Sequence, residues 1–184
     1  MSGAEKARVR DEARRRRKAA HDPGRGAAAC DHLLDYLAPH LGRPVSGYLP
    51  IRDEIDPIPA MTALARHAPV GVPVIAGPGR PLDFHLWQPD AALVPGTFGT
   101  RAPAASVAMV PEVLIVPLLA FDRSLMRLGY GGGFYDRTLA KLRAEGPVLA
   151  VGLAYAAQEI AVVPTDATDM RLDSIVTEDE VIGP

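Results

Sequence analysis

The run Val113-Leu114-Ile115-Val116 contains no polar side chain, and a strand of that composition has to be covered on both faces. It therefore belongs at the centre of a sheet. A glycine-rich segment follows it, then a helix expected over 134–144, then a second buried strand over 148–153. The rest of the chain repeats this alternation. Helices are expected over 4–20, over 23–38, where Asp22 caps and Pro23 opens the first turn, and over 57–67, where Met61, Leu64 and Ala65 share a face. Further strands are expected over 45–49, 72–76, 82–87 and 174–177, the last closing the chain. Pro73 argues for a strand end or a sheet edge, and 89–111, with several Gly and Pro, reads as mostly loop. The expected fold is α/β: a single three-layer domain over 1–184 with a largely parallel central sheet flanked by helices, the N-terminal basic helix packing as part of it.

At 184 residues the chain can bury one such core. Its only cysteine, Cys30 in Ala27-Ala28-Ala29-Cys30, reads as a small buried helix position and not a nucleophile, since a reactive thiol needs a partner that lowers its pKa. No apolar run approaches the ~20 residues of a membrane helix, and no apolar stretch follows the charged N-terminus. The expectation is a cytoplasmic protein without a membrane partner. A monomer is expected, with an oligomer left open.

The net charge of −2 hides an asymmetry. Residues 5–18 hold eight Lys or Arg against Glu5, Asp11 and Glu12, a net +5 that leaves −7 elsewhere. A basic arm on an acidic body suggests an anionic partner, phosphate or nucleic acid. The run Arg14 to Lys18 lacks interleaved aromatics, and most of it, including Arg15, Arg16 and Arg17, reads as a solvated helix face. No nucleic-acid partner is expected. The five histidines show no metal-ligand spacing, and no convincing Ser/His/Asp or Cys/His set is present.

Chemistry concentrates in the glycine segment, Arg127-Leu128-Gly129-Tyr130-Gly131-Gly132-Gly133-Phe134-Tyr135-Asp136-Arg137. Glycines let the backbone approach a ligand, and the free N–H groups at a helix start form an anion site. Arg127 can fork onto phosphate oxygens, and Asp136 can hold Mg²⁺, which works with substrate phosphates. A glycine run alone is more often a plain loop than a ligand cradle. This one is neither a Gly-Lys-Ser/Thr phosphate loop nor the dinucleotide fingerprint.

The longer pattern is more specific. Val116-Pro117-Leu118-Leu119-Ala120-Phe121-Asp122 followed by the Arg127 to Arg137 block closely resembles the signature of the 5-formyltetrahydrofolate cyclo-ligase family. Lys6 with Arg10, Tyr48-Leu49-Pro50 with Asp53-Glu54-Ile55-Asp56, and Val151-Gly152-Leu153-Ala154-Tyr155 with Gln158, Pro164, Asp169 and Ile175-Val176-Thr177-Glu178 occur in family order over nearly the whole chain. Three positions depart from the pattern: Ala102 replaces a Glu, Thr168 a His, and Ser124-Leu125-Met126 lacks the glycine usual before Arg127.

The resemblance implies an enzyme that converts 5-formyltetrahydrofolate and ATP, with Mg²⁺, to 5,10-methenyltetrahydrofolate, ADP and phosphate. It implies that Lys6, Arg10, Arg127, Leu128, Gly129, Tyr130, Gly131, Gly132, Gly133, Phe134 and Tyr135 surround ATP. It places Leu49, Glu54, Phe98 and Tyr130 on the folate, Asp136 and Asp169 on the metal, and Arg127, Glu54 and Tyr135 at the chemistry. Lys6 and Arg10, at i and i+4, project from one helix face.

Overall fold

A computed structural model describes residues 3–183. Helix α1 (Gly3–Ala20) is followed by α2 (Pro23–Leu37), whose start is fixed by Asp22: its carboxylate accepts the Arg25 N–H at 2.9 Å. Pro23 costs nothing there, because the first helical N–H has no intrahelical partner. Then come β1 (Val45–Ser46), α3 (Ile58–Leu64), β2 (Val70–Ile75), β3 (Leu82–Leu86) and the hairpin β4 (Leu93–Pro95) with β5 (Arg101–Pro103). Strand β6 (Val113–Pro117) leads into a second hairpin, β7 (Ala120–Phe121) with β8 (Arg127–Leu128). Helix α4 (Phe134–Glu145), β9 (Leu149–Leu153), β10 (Ser174–Val176) and β11 (Val181–Ile182) complete the described chain.

Seven strands form the main sheet in the order β11-β10-β9-β6-β1-β2-β3. The four inner pairings are parallel, and only the outer strands β3 and β11 run antiparallel to their neighbours. Side chains alternate across the sheet and feed two cores. Val45, Val70, Val113, Ile115 and Val151 pack under α2 and α3 with Leu33, Leu37 and Met61. Leu114, Val116, Ala150 and Ile175 pack against Leu139 and Leu142 of α4 on the opposite face. The result is the three-layer α/β arrangement with β6 buried on both sides, as its unbroken apolar run requires. Trimming Ile115 to Ala would cost about 2–5 kcal/mol through lost burial and a residual cavity.

Helix α1 joins the α2–α3 core only through its last residue, Ala20. Its Ala13 lies in a third cluster with Leu119, Ala120, Leu128 and Val163, which seats the helix on the β7–β8 hairpin. Strand order reverses between β1 and β6: β1 leads through α3 to β2 on one side, and β6 leads through α4 to β9 on the other. Ligands in open α/β sheets bind outside the carboxyl ends of strands at such a reversal.

Several expectations change. The segment 89–111 contains the β4–β5 hairpin, which its irregular apolar spacing conceals. The strand expected over 45–49 keeps its pairing only at Val45 and Ser46. Residues 174–177 do not end the sheet, since β11 folds back on β10. Pro73 lies within β2, inside the sheet, but β1 reaches along β2 only to Gly71, so beyond that point this side of β2 is locally an edge.

Candidate active site

The glycine loop connects β8 to α4 at the sheet's reversal point. Gly131 (φ +100°) and Gly133 (φ +63°) take left-handed backbone, and Gly133 is the residue from which α4 starts. Side chains disfavour that conformation, so these two glycines set the loop's path. Arg10 Nε donates to Gly129 O at 3.0 Å, and its guanidinium lies so close that a Cβ on Gly131 would sit 3.2 Å from Arg10 Cζ. Lys6, one turn earlier on α1, pairs with Asp166 (2.9 Å) and Asp169 (3.0 Å). Burial works against the Lys6 ammonium, but its two carboxylate partners hold its pKa above the ordinary lysine value. The structure thus brings Arg10 onto the glycine loop and Lys6, on the same helix face, onto Asp166 and Asp169.

Arg127, on β8, is buried with its guanidinium donating to Asp136 Oδ1 at 2.8 Å and to the Met170 carbonyl. Asp136 Oδ1 also accepts the Met170 N–H at 2.9 Å, which draws the segment after Asp169 against α4. Asp169 Oδ2 receives the Asp166 N–H at 2.8 Å as well as Lys6. Among the described residues no group of three or more His, Cys, Asp or Glu side chains converges as a metal cage. One or two carboxylates beside an anion-binding loop suit Mg²⁺ shared with substrate phosphates, so the donor set fits that ion without a protein cage.

The turn after β1 supplies the other half. Glu54 is buried, accepting the Ile51 N–H at 2.9 Å on Oε2 and the Tyr130 hydroxyl at 2.8 Å on Oε1. Burial raises its pKa, against the opposing effects of the Ile51 N–H, Tyr130 and Arg17. Tyr135 carries a buried hydroxyl with no hydrogen-bond partner, and burial, then the Glu54 charge, pushes its pKa up. A buried unpaired hydroxyl is uncommon in a folded protein. Leu49 packs on the α2–α3 core just beyond β1. Phe98 sits at the tip of the β4–β5 hairpin, 75% exposed with φ +56°, its ring centroid 6.4 Å from that of Phe134. That places an accessible aromatic face next to the glycine loop.

The arginine run divides in a way the sequence reading missed. Arg14, Arg15 and Arg16 pair with Asp11 and Glu12 on their own helix, as a solvated face should. Arg17 instead is 1% exposed, forks onto both Asp53 oxygens (3.2 and 3.1 Å), lies 3.6 Å from Glu54 Oε1, and stands 5.5 Å from the Tyr130 ring centroid. The signal available was spacing: Lys6, Arg10, Ala13 and Arg17 fall on one helical stripe. Asp166, the second partner of Lys6, and Asp53 were likewise unassigned.

The three departures are accommodated locally. In Ser124-Leu125-Met126, which lacks the usual glycine, Leu125 has φ +66°, a strained conformation for a leucine, and its side chain is buried in the α4-side core. Asp122 supports that turn, accepting the Ser124 N–H and hydroxyl on one oxygen and the Val163 N–H on the other. Thr168 donates its N–H and hydroxyl to Asp166 Oδ1, the carboxylate that holds Lys6 through its other oxygen. Ala102 pairs with Val94 inside the β4–β5 ladder.

Comparison with known proteins agrees with this geometry. The chain is 32% identical over 166 residues to the 5-formyltetrahydrofolate cyclo-ligase of Escherichia coli (strain K12), covering 85% of this chain and 89% of that protein. It is 40% identical over 120 residues to the enzyme of the same name from Mycolicibacterium smegmatis, covering 60% and 61% respectively. Its fold superposes on the NMR structure of Aquifex aeolicus 5,10-methenyltetrahydrofolate synthetase with a TM-score of 0.78 at 27% identity, over 96% of this chain and 91% of that one. A Mycoplasma pneumoniae 5,10-methenyltetrahydrofolate synthetase, 20% identical, shares the fold with a TM-score of 0.69 over 94% of this chain and 98% of that one. The family model described as the 5-formyltetrahydrofolate cyclo-ligase family matches residues 2–178, nearly the whole glycine-loop architecture and its supporting sheet, and the chain belongs to that family.

Proposed function

We propose that this chain catalyses the ATP-dependent cyclisation of 5-formyltetrahydrofolate to 5,10-methenyltetrahydrofolate, with release of ADP and phosphate. One observation carries the reading: the 2.8 Å hydrogen bond from Tyr130 to Glu54 joins the anion-binding glycine loop to the turn after β1 at the sheet's reversal point. A nucleotide on the loop and a folate at the turn would therefore meet end to end. A formyl oxygen is a poor leaving group. Transfer of the γ-phosphoryl to that oxygen, with ADP as leaving group, makes it a good one; N10 then attacks the activated carbon and gives up its proton, and the C–O bond breaks to release phosphate. Such chemistry calls for positioning and charge neutralisation more than for a protein nucleophile.

In this scheme Lys6, Arg10 and Arg127 hold the phosphates with backbone N–H groups of 129–133. Asp136 and Asp169 hold Mg²⁺, which supplies charge neutralisation on the phosphate oxygens when bound. Glu54 and Leu49 contact the folate, Phe98 offers a stacking face, and Tyr135, with its hydroxyl unpaired, donates to the reacting groups. Burial favours protonation of Glu54, yet both its present partners donate to it, which supports a role as an acceptor that orients the substrate. The ion pairs of Arg14 to Arg16 within α1 support small-molecule substrates and not a nucleic acid. Among the described residues no helix is long and apolar enough to cross a membrane. We place the protein in the cytoplasm as a single cyclo-ligase domain.

The direct test measures ADP formation with and without 5-formyltetrahydrofolate, while following the methenyl product. Equal ADP formation in both, or ADP without the product, would remove this assignment.

A further inference from the structure

Arg17 is the one long cation of the basic helix that solvent does not reach. Its guanidinium ties three elements together: α1 that carries it, the turn after β1 through Asp53 and Glu54, and the glycine loop through the ring of Tyr130. The nitrogen that faces Glu54, Nη1, also donates to the Leu118 carbonyl at 3.4 Å, just past the end of β6. An arginine in such a place costs desolvation energy, and a buried pair is weak evidence for stability alone. Its planar fork does, however, fix the direction of the groups it binds, which a lysine or an apolar residue cannot do.

We propose that Arg17 is a positioning residue for the cyclisation: by clamping Asp53 and facing Glu54, it holds the Glu54 carboxylate in the orientation presented to the folate. This rests on the assignment of Glu54 to the folate given above. The groups facing Glu54 are Arg17 from α1, Asp53 from its own turn, Tyr48 beyond β1, Tyr130 from the glycine loop, and Tyr135 from α4; His21 acts on Asp53. Of these only Arg17 contributes a positive charge directly to Glu54, and Asp53 contributes a negative one. The two neighbours therefore push the titration of Glu54 in opposite directions.

That opposition separates positioning from mere structural support. Steady-state kinetics across pH, with each substrate varied at saturating levels of the other, are measured for Arg17→Met, Asp53→Asn, Glu54→Gln and the Arg17→Met/Glu54→Gln double variant. Arg17→Met should lower kcat/KM for 5-formyltetrahydrofolate by about 100-fold, the order expected when a reacting partner is displaced by an ångström, with a much smaller effect on kcat/KM for ATP. Its acid limb should move to higher pH, because Glu54 loses its cation. The acid limb of Asp53→Asn should move to lower pH, because Glu54 loses a neighbouring anion. Once Glu54 is Gln, adding Arg17→Met should produce little further loss, since residues acting through one another are not additive.

Equal losses toward ATP and folate, acid limbs that stay in place, or a full additional loss in the double variant would each overturn the proposal. If Arg17→Met does not fold, the downward limb shift of Asp53→Asn and the loss of the acid limb in Glu54→Gln carry the test: no downward shift in Asp53→Asn, or an acid limb that persists in Glu54→Gln, overturns it. A wild-type protein inactive on 5-formyltetrahydrofolate would overturn the functional assignment itself, and the proposal with it.

Discussion

Gly129 gives the cleanest probe of the phosphate cradle. A Cβ built there meets no atom within 4 Å, and the residue's φ lies outside the left-handed region. Gly129→Ala should therefore leave the fold intact or stabilise it by about 0.4–1 kcal/mol, by stiffening the unfolded chain. The other loop glycines confound fold with ligand. Gly131 and Gly133 have left-handed backbone, and a Cβ on Gly132 would come within 2.7 Å of the Phe134 ring. If phosphate oxygens seat on the N–H groups of this loop, the alanine methyl holds one of them off the backbone. A hydrogen bond to a charged group contributes about 1.5–3 kcal/mol, which translates to roughly 10- to 150-fold in Kd. Titration calorimetry of ATP in the presence of Mg²⁺, beside a thermal melt of the same sample, reads both quantities. A Gly129→Ala protein that melts like wild type and binds ATP like wild type would refute the cradle.

Arg127→Ala should lower kcat/KM by about 100-fold or more, the order found for donors to a developing charge, and Arg127→Lys should recover little because an ammonium lacks the fork; steady-state assays decide both. Asp136→Asn should reduce turnover at limiting Mg²⁺ more than it reduces the melting temperature, and normal turnover there would take Asp136 out of the metal site. The acid side of the stability profile should respond to Asp53. Burial pushes its carboxyl up, but the Arg17 fork outweighs this and holds it below the ordinary range. Stabilisation from the pair is then complete above the unfolded Asp value of about 3.9 and lost as pH falls through the lower folded value. Melting temperatures of Asp53→Asn measured downward from pH 5 should fall less steeply than those of wild type, and parallel curves would mean that the pair does not govern acid unfolding.

How much of the fold was legible depended on whether one periodicity dominated a segment. The β6 run and the strand over 149–153 are apolar without interruption, and buried parallel strands have no other way to look. Helix α2 carried both a cap and a first-turn proline, so its start could be read to the residue. The β4–β5 hairpin had no such cue. Its strands are three residues each, they hold Pro95 and Pro103, and much of their surface is exposed, so pairing rests on backbone hydrogen bonds that leave no mark on side-chain pattern. Strand β11 is two residues long and was hidden for the same reason.

The site was legible where backbone requirements wrote themselves into the sequence, as glycines do at φ values that other residues avoid. Lys6 and Arg10 came from the resemblance to the family, and their i, i+4 spacing put them on one face of α1. Arg17 was not legible, because four consecutive arginines sweep through more than one full turn of a helix, and composition alone cannot say which of them faces inward. The deciding fact lies elsewhere in the chain. Glu54 is buried and Asp53 half-buried in the turn after β1, and two neighbouring carboxylates drawn partly out of water require a cation between the elements that carry them. Residues 6, 10 and 13 already fix which stripe of α1 meets the hairpin, and position 17 is the next on that stripe. Only with the burial of Glu54 in view does the question of what meets its cost lead to Arg17 before Arg14, Arg15 or Arg16.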